Sequence, residues 1–87
     1  MANYAITFAR SAQRELESLA AHVVKRIFPK IELLARQPRP PGCRKLVVGE
    51  EDLWRVRVGD YRIIYSIDDV REVVDIIAVR HRSKAYD

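Results

Sequence analysis

The sequence predicts an α+β fold of order β-α-α-β-β-β-β, with two N-terminal helices packed on one face of a largely antiparallel sheet. Three observations predict it. A short β-branched and aromatic run opens the chain, and apolar residues then recur at helical spacing as far as residue 37. Everything after Gly42 falls into short strand-like segments separated by turn residues. The 87 residues, 1–87, make a single domain. A chain this short buries only ~60–65% of the surface its unfolded form exposes, so a partner that covers further apolar surface would help it.

The elements follow in order. Tyr4 to Phe8 reads as the first strand. From Ser11, a candidate N-cap, Ala12, Leu16, Leu19 and Ala20 fall on one helical face, with Arg14, Glu15, Glu17 and Ser18 opposite. A second helix runs from about Val23 to Gln37, with Val24, Ile27, Phe28, Ile31, Leu34 and Ala35 at helical spacing. Pro29 lies inside it and predicts a kink or break near Phe28, and Pro38-Arg39-Pro40-Pro41-Gly42 ends it. Strands are expected at Cys43 to Val48, Leu53 to Val58, Tyr61 to Ile67 and Glu72 to Val79. The acidic turn Gly49 to Asp52, the tight Gly59-Asp60 loop and the turn Asp68 to Arg71 separate them, and Arg80 to Asp87 forms a polar tail.

Composition narrows the function classes. Hydrophobic residues are 48% and charged residues 32%, a globular balance. The net charge of +4 favours anionic partners. Met1-Ala2-Asn3-Tyr4 shows no basic leader followed by an apolar run, so no signal peptide is expected, and no stretch approaches the ~18 apolar residues of a membrane span. The lone Cys43 forms no internal disulfide and fits a reducing cytoplasm. With two separated histidines, His22 and His81, it does not make a zinc site; no metal or other cofactor is expected. Trp54 is expected in the core, His22 between the helices as a surface or capping residue, and the Glu50-Glu51-Asp52 run in a solvated turn.

The Gly59-Asp60 hairpin carries the sharpest inference. A two-residue loop sets Val58 opposite Tyr61, Arg57 opposite Arg62 and Arg55 opposite Ile64. Alternation then points Arg55, Arg57 and Arg62 to one solvent-facing surface, and Val56, Val58, Tyr61, Ile63 and Tyr65 toward the helices. Arg57 across from Arg62 is a like-charge pair, which destabilises a sheet unless an anion uses it. Guanidinium forks suit phosphate. The spacing alone is equally consistent with a solvated polar face whose charge is taken up by Glu50 to Asp52 or Asp75. The tail Arg80-His81-Arg82-Ser83-Lys84-Ala85-Tyr86 tips the balance, adding three cations, an imidazole and a phenol that can stack on a base. Arginine, histidine and tyrosine without metal ligands make a kit for metal-free RNA cleavage, which needs a deprotonated 2′-hydroxyl, a stabilised pentavalent phosphate and a protonated leaving oxygen.

The segment Leu53-Trp54-Arg55-Val56-Arg57-Val58-Gly59-Asp60-Tyr61-Arg62-Ile63-Ile64-Tyr65 resembles the central signature of the RelE/ParE toxin superfamily, and Val79 to Tyr86 resembles its C-terminal one. The likeness extends over the first strand, both helices and the proline-rich bend. RelE-type members are toxins of type II toxin–antitoxin pairs and ribosome-dependent endoribonucleases, which cut mRNA by 2′-hydroxyl attack. The resemblance therefore implies a cytoplasmic mRNA interferase whose partners are mRNA, the ribosome and a small acidic RelB-like antitoxin, with operator DNA bound by the toxin–antitoxin complex.

It also implies residue roles. Arg62 stabilises the phosphate, Arg82 is the tail arginine (with Arg80 its rival two residues earlier), and Tyr86 stacks on the nucleotide or takes its proton. Arg55 and Arg57 stand where RelE proteins carry lysines; Arg80 and Lys84 add RNA contacts. Arginine keeps its proton, so Arg55 and Arg57 are poor bases, and His81 is the candidate for that work. The same superfamily contains ParE-type members, which inhibit DNA gyrase without cutting nucleic acid. They share the Tyr61 to Tyr65 pattern, whereas Arg55, Arg57, His81 and Tyr86 favour RNA cleavage. A third reading is an inert relative that binds only its partner or operator DNA.

Overall fold

The structure, a computed structural model, describes residues 3–49 and 51–84. Its elements are β1 (Ala5–Phe8), α1 (Arg10–Glu17), α2 (Ala21–Arg36), β2 (Arg44–Val48), β3 (Glu51–Val58), β4 (Tyr61–Asp68), β5 (Val73–His81) and a short 3₁₀ turn, Arg82–Lys84. The five strands form one sheet of order β1-β5-β4-β3-β2, with β1 parallel to β5 and every other pair antiparallel. The α+β arrangement expected from sequence is the one observed.

The core lies between sheet and helices. Ala12, Ile27, Ile31 and Leu34 from the helices meet Val56, Ile63, Tyr65, Val74, Ile76 and Val79 from the sheet. Strict alternation would not bury both Ile76 and Val79. A bulge allows it: Ile64 pairs with Ala78 but Tyr65 pairs with Ile76, leaving Ile77 as an extra residue in β5. The parity flip also puts Arg80 directly opposite Arg62.

Beyond Ile76, β5 has no strand neighbour on its β1 side among the described residues, and α1 takes that place. The Ser11 hydroxyl donates to the Ile77 carbonyl at 2.6 Å, and the Val79 N–H donates to Glu15 Oε1 at 3.0 Å. Ser11 is therefore not the N-cap. The helix begins two residues earlier than that cap implies, with Ala9 at the cap and no side-chain cap bond, and the sheet edge claims the hydroxyl.

Three further expectations change. The helix α2 runs unbroken through Pro29. Pro29 and Lys25, whose carbonyl loses its partner, are both exposed, so water can serve that carbonyl. Burial of Ile27, Ile31 and Leu34 at roughly 1.5–3 kcal/mol each holds both halves of the helix on the sheet against a proline cost of about 3 kcal/mol. Pro29→Ala is expected to raise stability by about 1–2 kcal/mol, measured by urea unfolding, since it restores one helical hydrogen bond while freeing the unfolded chain.

The acidic turn is shorter than expected, because Val48 pairs with Glu51, and both Glu51 and Asp52 belong to β3. Asp52 lies 3.5 Å from Lys45 rather than among the arginines of the hairpin. Finally, β5 begins at Val73, after Glu72 at φ 57°, and it extends through Arg80 and His81, so these two are strand rather than tail residues.

The proline-rich bend is tied down at Asp69. Its carboxylate accepts from the Tyr4 hydroxyl at 2.7 Å and from both Arg39 terminal nitrogens at 2.9 and 3.3 Å. Arg39 also lies 5.0 Å from the Trp54 ring centroid, and Trp54 packs against the core as expected. The hydrogen bonds from Arg39 first, and from Tyr4, hold the Asp69 carboxyl below the usual carboxylate range. A depressed folded pKa adds stability that is present above the unfolded value of ~3.9 and lost as pH falls through the folded value. Asp69→Asn is thus expected to lower the melting temperature at neutral pH, with the gap to wild type closing below pH ~4.

Candidate functional site

The site grows from the β3–β4 hairpin. Gly59 takes the first loop position at φ 59°, where a Cβ would come within 2.9 Å of the Arg26 guanidinium. The tight turn fixes the register: Val58 faces Tyr61, Arg57 faces Arg62 and Arg55 faces Ile64. Because β5 follows with Arg80 opposite Arg62, Arg57, Arg62 and Arg80 occupy one row across three adjacent strands. Arg44 stands across β2–β3 from Arg55 in the next row. This face lies opposite Val56, Ile63 and Val79, away from the helices.

Arg82 joins from the 3₁₀ turn. Its backbone N–H donates to the Asp60 carbonyl at 2.7 Å, and its Nε lies 4.0 Å from the Asp60 carboxylate. The hairpin tip thereby holds the segment after β5 against the end of the sheet. A concavity of about 130 Å³ results, lined by Arg57, Gly59, Asp60, Tyr61, Arg62 and Arg82. Among the described residues, this lining brings three arginines together with one aspartate.

Arg62 forms the floor. Sequence reading placed it on the right face but as a solvent-facing residue, and it is in fact only 8% exposed. It sits on β4 between β3 and β5, a setting that a two-strand argument could not show. Withdrawal from water strengthens the field that a guanidinium exerts on an anion beside it.

The other candidates separate. His81 faces Tyr61 across β4–β5, on the opposite side of the sheet from Arg62, with the two rings edge to face at 5.3 Å. Its Nδ1 accepts the Ser83 N–H at 3.2 Å and lies 2.9 Å from the Ser83 hydroxyl. It lines a second cleft, of about 470 Å³, together with Glu15, Leu19, Tyr61 and Arg80. Arg80 Nε is 3.0 Å from Glu15 Oε2. Arg55 is partly buried in the row beside the concavity without lining it. The Lys84 side chain and all of Tyr86 lie outside the described residues.

Sequence reasoning missed Arg44 and Glu15. The two-residue loop between Val48 and Glu51 would have set Arg44 across from Arg55, had Glu51 and Asp52 been read as strand. Glu15 carried no signal, since its partners are 64 and 65 positions away. Among the described residues, no group of three or more His, Cys, Asp or Glu side chains could hold a metal ion, and no helix is long and apolar enough to cross a membrane.

The profile of the family described as ParE toxin of type II toxin-antitoxin system, parDE, matches residues 6–86. The chain belongs to the RelE/ParE toxin family. It is 39% identical over 80 residues to Toxin RelE of Mycobacterium tuberculosis, covering 92% of this chain and 78% of that one. Among solved structures, the toxin–antitoxin complex RelBE2 of the same organism superposes with a TM-score of 0.83 at 28% identity, covering 97% of both chains. The archaeal RelE–RelB complex of Pyrococcus horikoshii OT3 gives 0.80 at 29% identity, over 95% of this chain and 99% of that one. As a toxin of this family, the chain is one half of a type II toxin–antitoxin pair.

Proposed function

We propose that this toxin is a metal-independent endoribonuclease that cuts mRNA by attack of a ribose 2′-oxygen on the adjacent phosphorus. The observation that carries the reading is the concavity in which Arg57, Arg62 and Arg82 converge at the hairpin tip. In the reaction the 2′-hydroxyl gives up its proton and its oxygen bonds to phosphorus. The 5′-oxygen leaves and takes a proton, giving a 2′,3′-cyclic phosphate and a 5′-hydroxyl end. Charge grows on the non-bridging oxygens, where Arg62 and Arg82 neutralise it, while Arg57 and Arg55 orient the chain. Arg44 extends the cationic track along β2. Lys84 and Tyr86 keep their sequence-based roles in this proposal, as a further cation and as the group that stacks on the base or accepts the 2′ proton. His81 lies on the other side of the sheet from Arg62, with Nδ1 bonded to the Ser83 N–H, so in this proposal its ring holds Tyr61 and the turn that delivers Arg82 rather than taking the 2′ proton.

The partner in this reading is a small acidic RelB-like antitoxin. Phe28 and Leu33, each 39% exposed on α2, and the groove between Phe8, Leu16 and Phe28 offer apolar surface for it. Lys25 and Arg36, exposed on the same helix, suit acidic neighbours. The second reading, inhibition of DNA gyrase, is favoured by the ParE description of the matching family profile. Induction in cells distinguishes the two. RNA cleavage is expected to stop translation with fragmented mRNA and normal plasmid supercoiling, whereas intact mRNA with altered supercoiling would overturn it.

A further inference from the structure

Both oxygens of Glu15 are committed. Oε1 accepts the Val79 N–H, which no strand among the described residues pairs, and Oε2 accepts the Arg80 Nε–H, each at 3.0 Å. The first contact is dictated by the fold, because α1 replaces β1 along the rest of β5. The second follows from it, since the anchored carboxylate draws the Arg80 head toward α1. In the strand register Arg80 stands beside Arg62 and Arg57, where like charges on neighbouring strands repel. The Arg80 side chain instead lines the cleft with Glu15 and is absent from the concavity that holds Arg57, Arg62 and Arg82.

We infer that Glu15 is a positioning residue that withholds Arg80 from the phosphate site. The inference rests on the RNA-cleaving reading and assigns Arg80, the rival tail arginine, to Glu15 rather than to the scissile phosphate. A fourth guanidinium at that phosphate would tighten ground-state and transition-state binding together, which does not accelerate the chemical step.

The test uses Glu15→Gln, which keeps an acceptor for the Val79 N–H but removes the charge that holds Arg80. Binding of an uncleavable 2′-deoxy decanucleotide is followed between about 50 and 200 mM salt. The plot of log affinity against log salt is expected to steepen by ~0.7, the increment for one further phosphate contact on a single strand. The increment is expected to vanish in the double variant Glu15→Gln/Arg80→Ala. In parallel, the arginine Nε–Hε NMR signals are followed as inorganic phosphate is added. In the wild type, the signals of Arg57, Arg62 and Arg82 are expected to shift while that of Arg80 stays still; in Glu15→Gln, Arg80 is expected to shift with them. An unchanged slope in Glu15→Gln, an increment that survives in the double variant, or an Arg80 shift in the wild type would each overturn the inference and leave the phosphate site standing. If phosphate moves none of these arginines in the wild type, the site and the inference fall together.

Discussion

Arg62→Met is expected to slow mRNA cleavage by ~10²–10³-fold while the protein stays folded. Arg62 lines the concavity and is 8% exposed, so in the proposed reaction its charge would act on the phosphate with little screening by water. Methionine fills the space of the stem and removes only the guanidinium, so the neighbouring strands keep their packing. Alanine would confound the result, because at this depth it also opens a cavity. Single-turnover cleavage reads the chemistry, and near-UV circular dichroism reads the fold. A folded variant that cuts at the wild-type rate would remove Arg62 from the reaction.

Tyr65→Ala is expected to destabilise the domain by about 3–5 kcal/mol, comparable to the whole stability of a chain this size. Tyr65 is fully buried at the centre of the sheet, and its hydroxyl donates to the Pro38 carbonyl at 2.7 Å. One side chain thus joins the core to the proline-rich bend. Burial first, and then the Cys43 thiol alongside, raise its hydroxyl well above the ordinary phenol range, which keeps it a donor at neutral pH. Tyr65→Phe keeps the ring and strands the Pro38 carbonyl, for an expected loss of about 1 kcal/mol. Urea unfolding measures both. A Tyr65→Ala protein within 1 kcal/mol of wild type would show that the helices and sheet do not share one core.

The order of elements and the β3–β4 register were legible because they rest on local rules. Alternation, helical spacing and the Gly59-Asp60 loop placed Arg55, Arg57 and Arg62 on one face, where the structure has them. What escaped was non-local. The Ile77 bulge flips the parity of β5 and brings Arg80 opposite Arg62, and no feature of the β5 sequence marks it. The parallel pairing of β1 with β5 leaves an edge that α1 must cover, which moved Ser11 from cap to edge partner and gave Glu15 its role. Pro29 shows tertiary packing overriding a local preference. The depth of Arg62 depends on strands on both sides, so a hairpin argument could give its direction but not its burial.

The most direct test of the central claim is the chemistry of the cut ends. Purified toxin is incubated with ribosomes and a defined mRNA, and the products are analysed by end-labelling and mass spectrometry. Attack by the 2′-oxygen is expected to leave a 5′-hydroxyl on the downstream fragment, a 2′,3′-cyclic phosphate on the upstream one, and no cleavage where the nucleotide before the scissile bond carries a 2′-deoxyribose. A 5′-phosphate with a 3′-hydroxyl, cleavage of the 2′-deoxy substrate, or an mRNA left intact by folded toxin would contradict it.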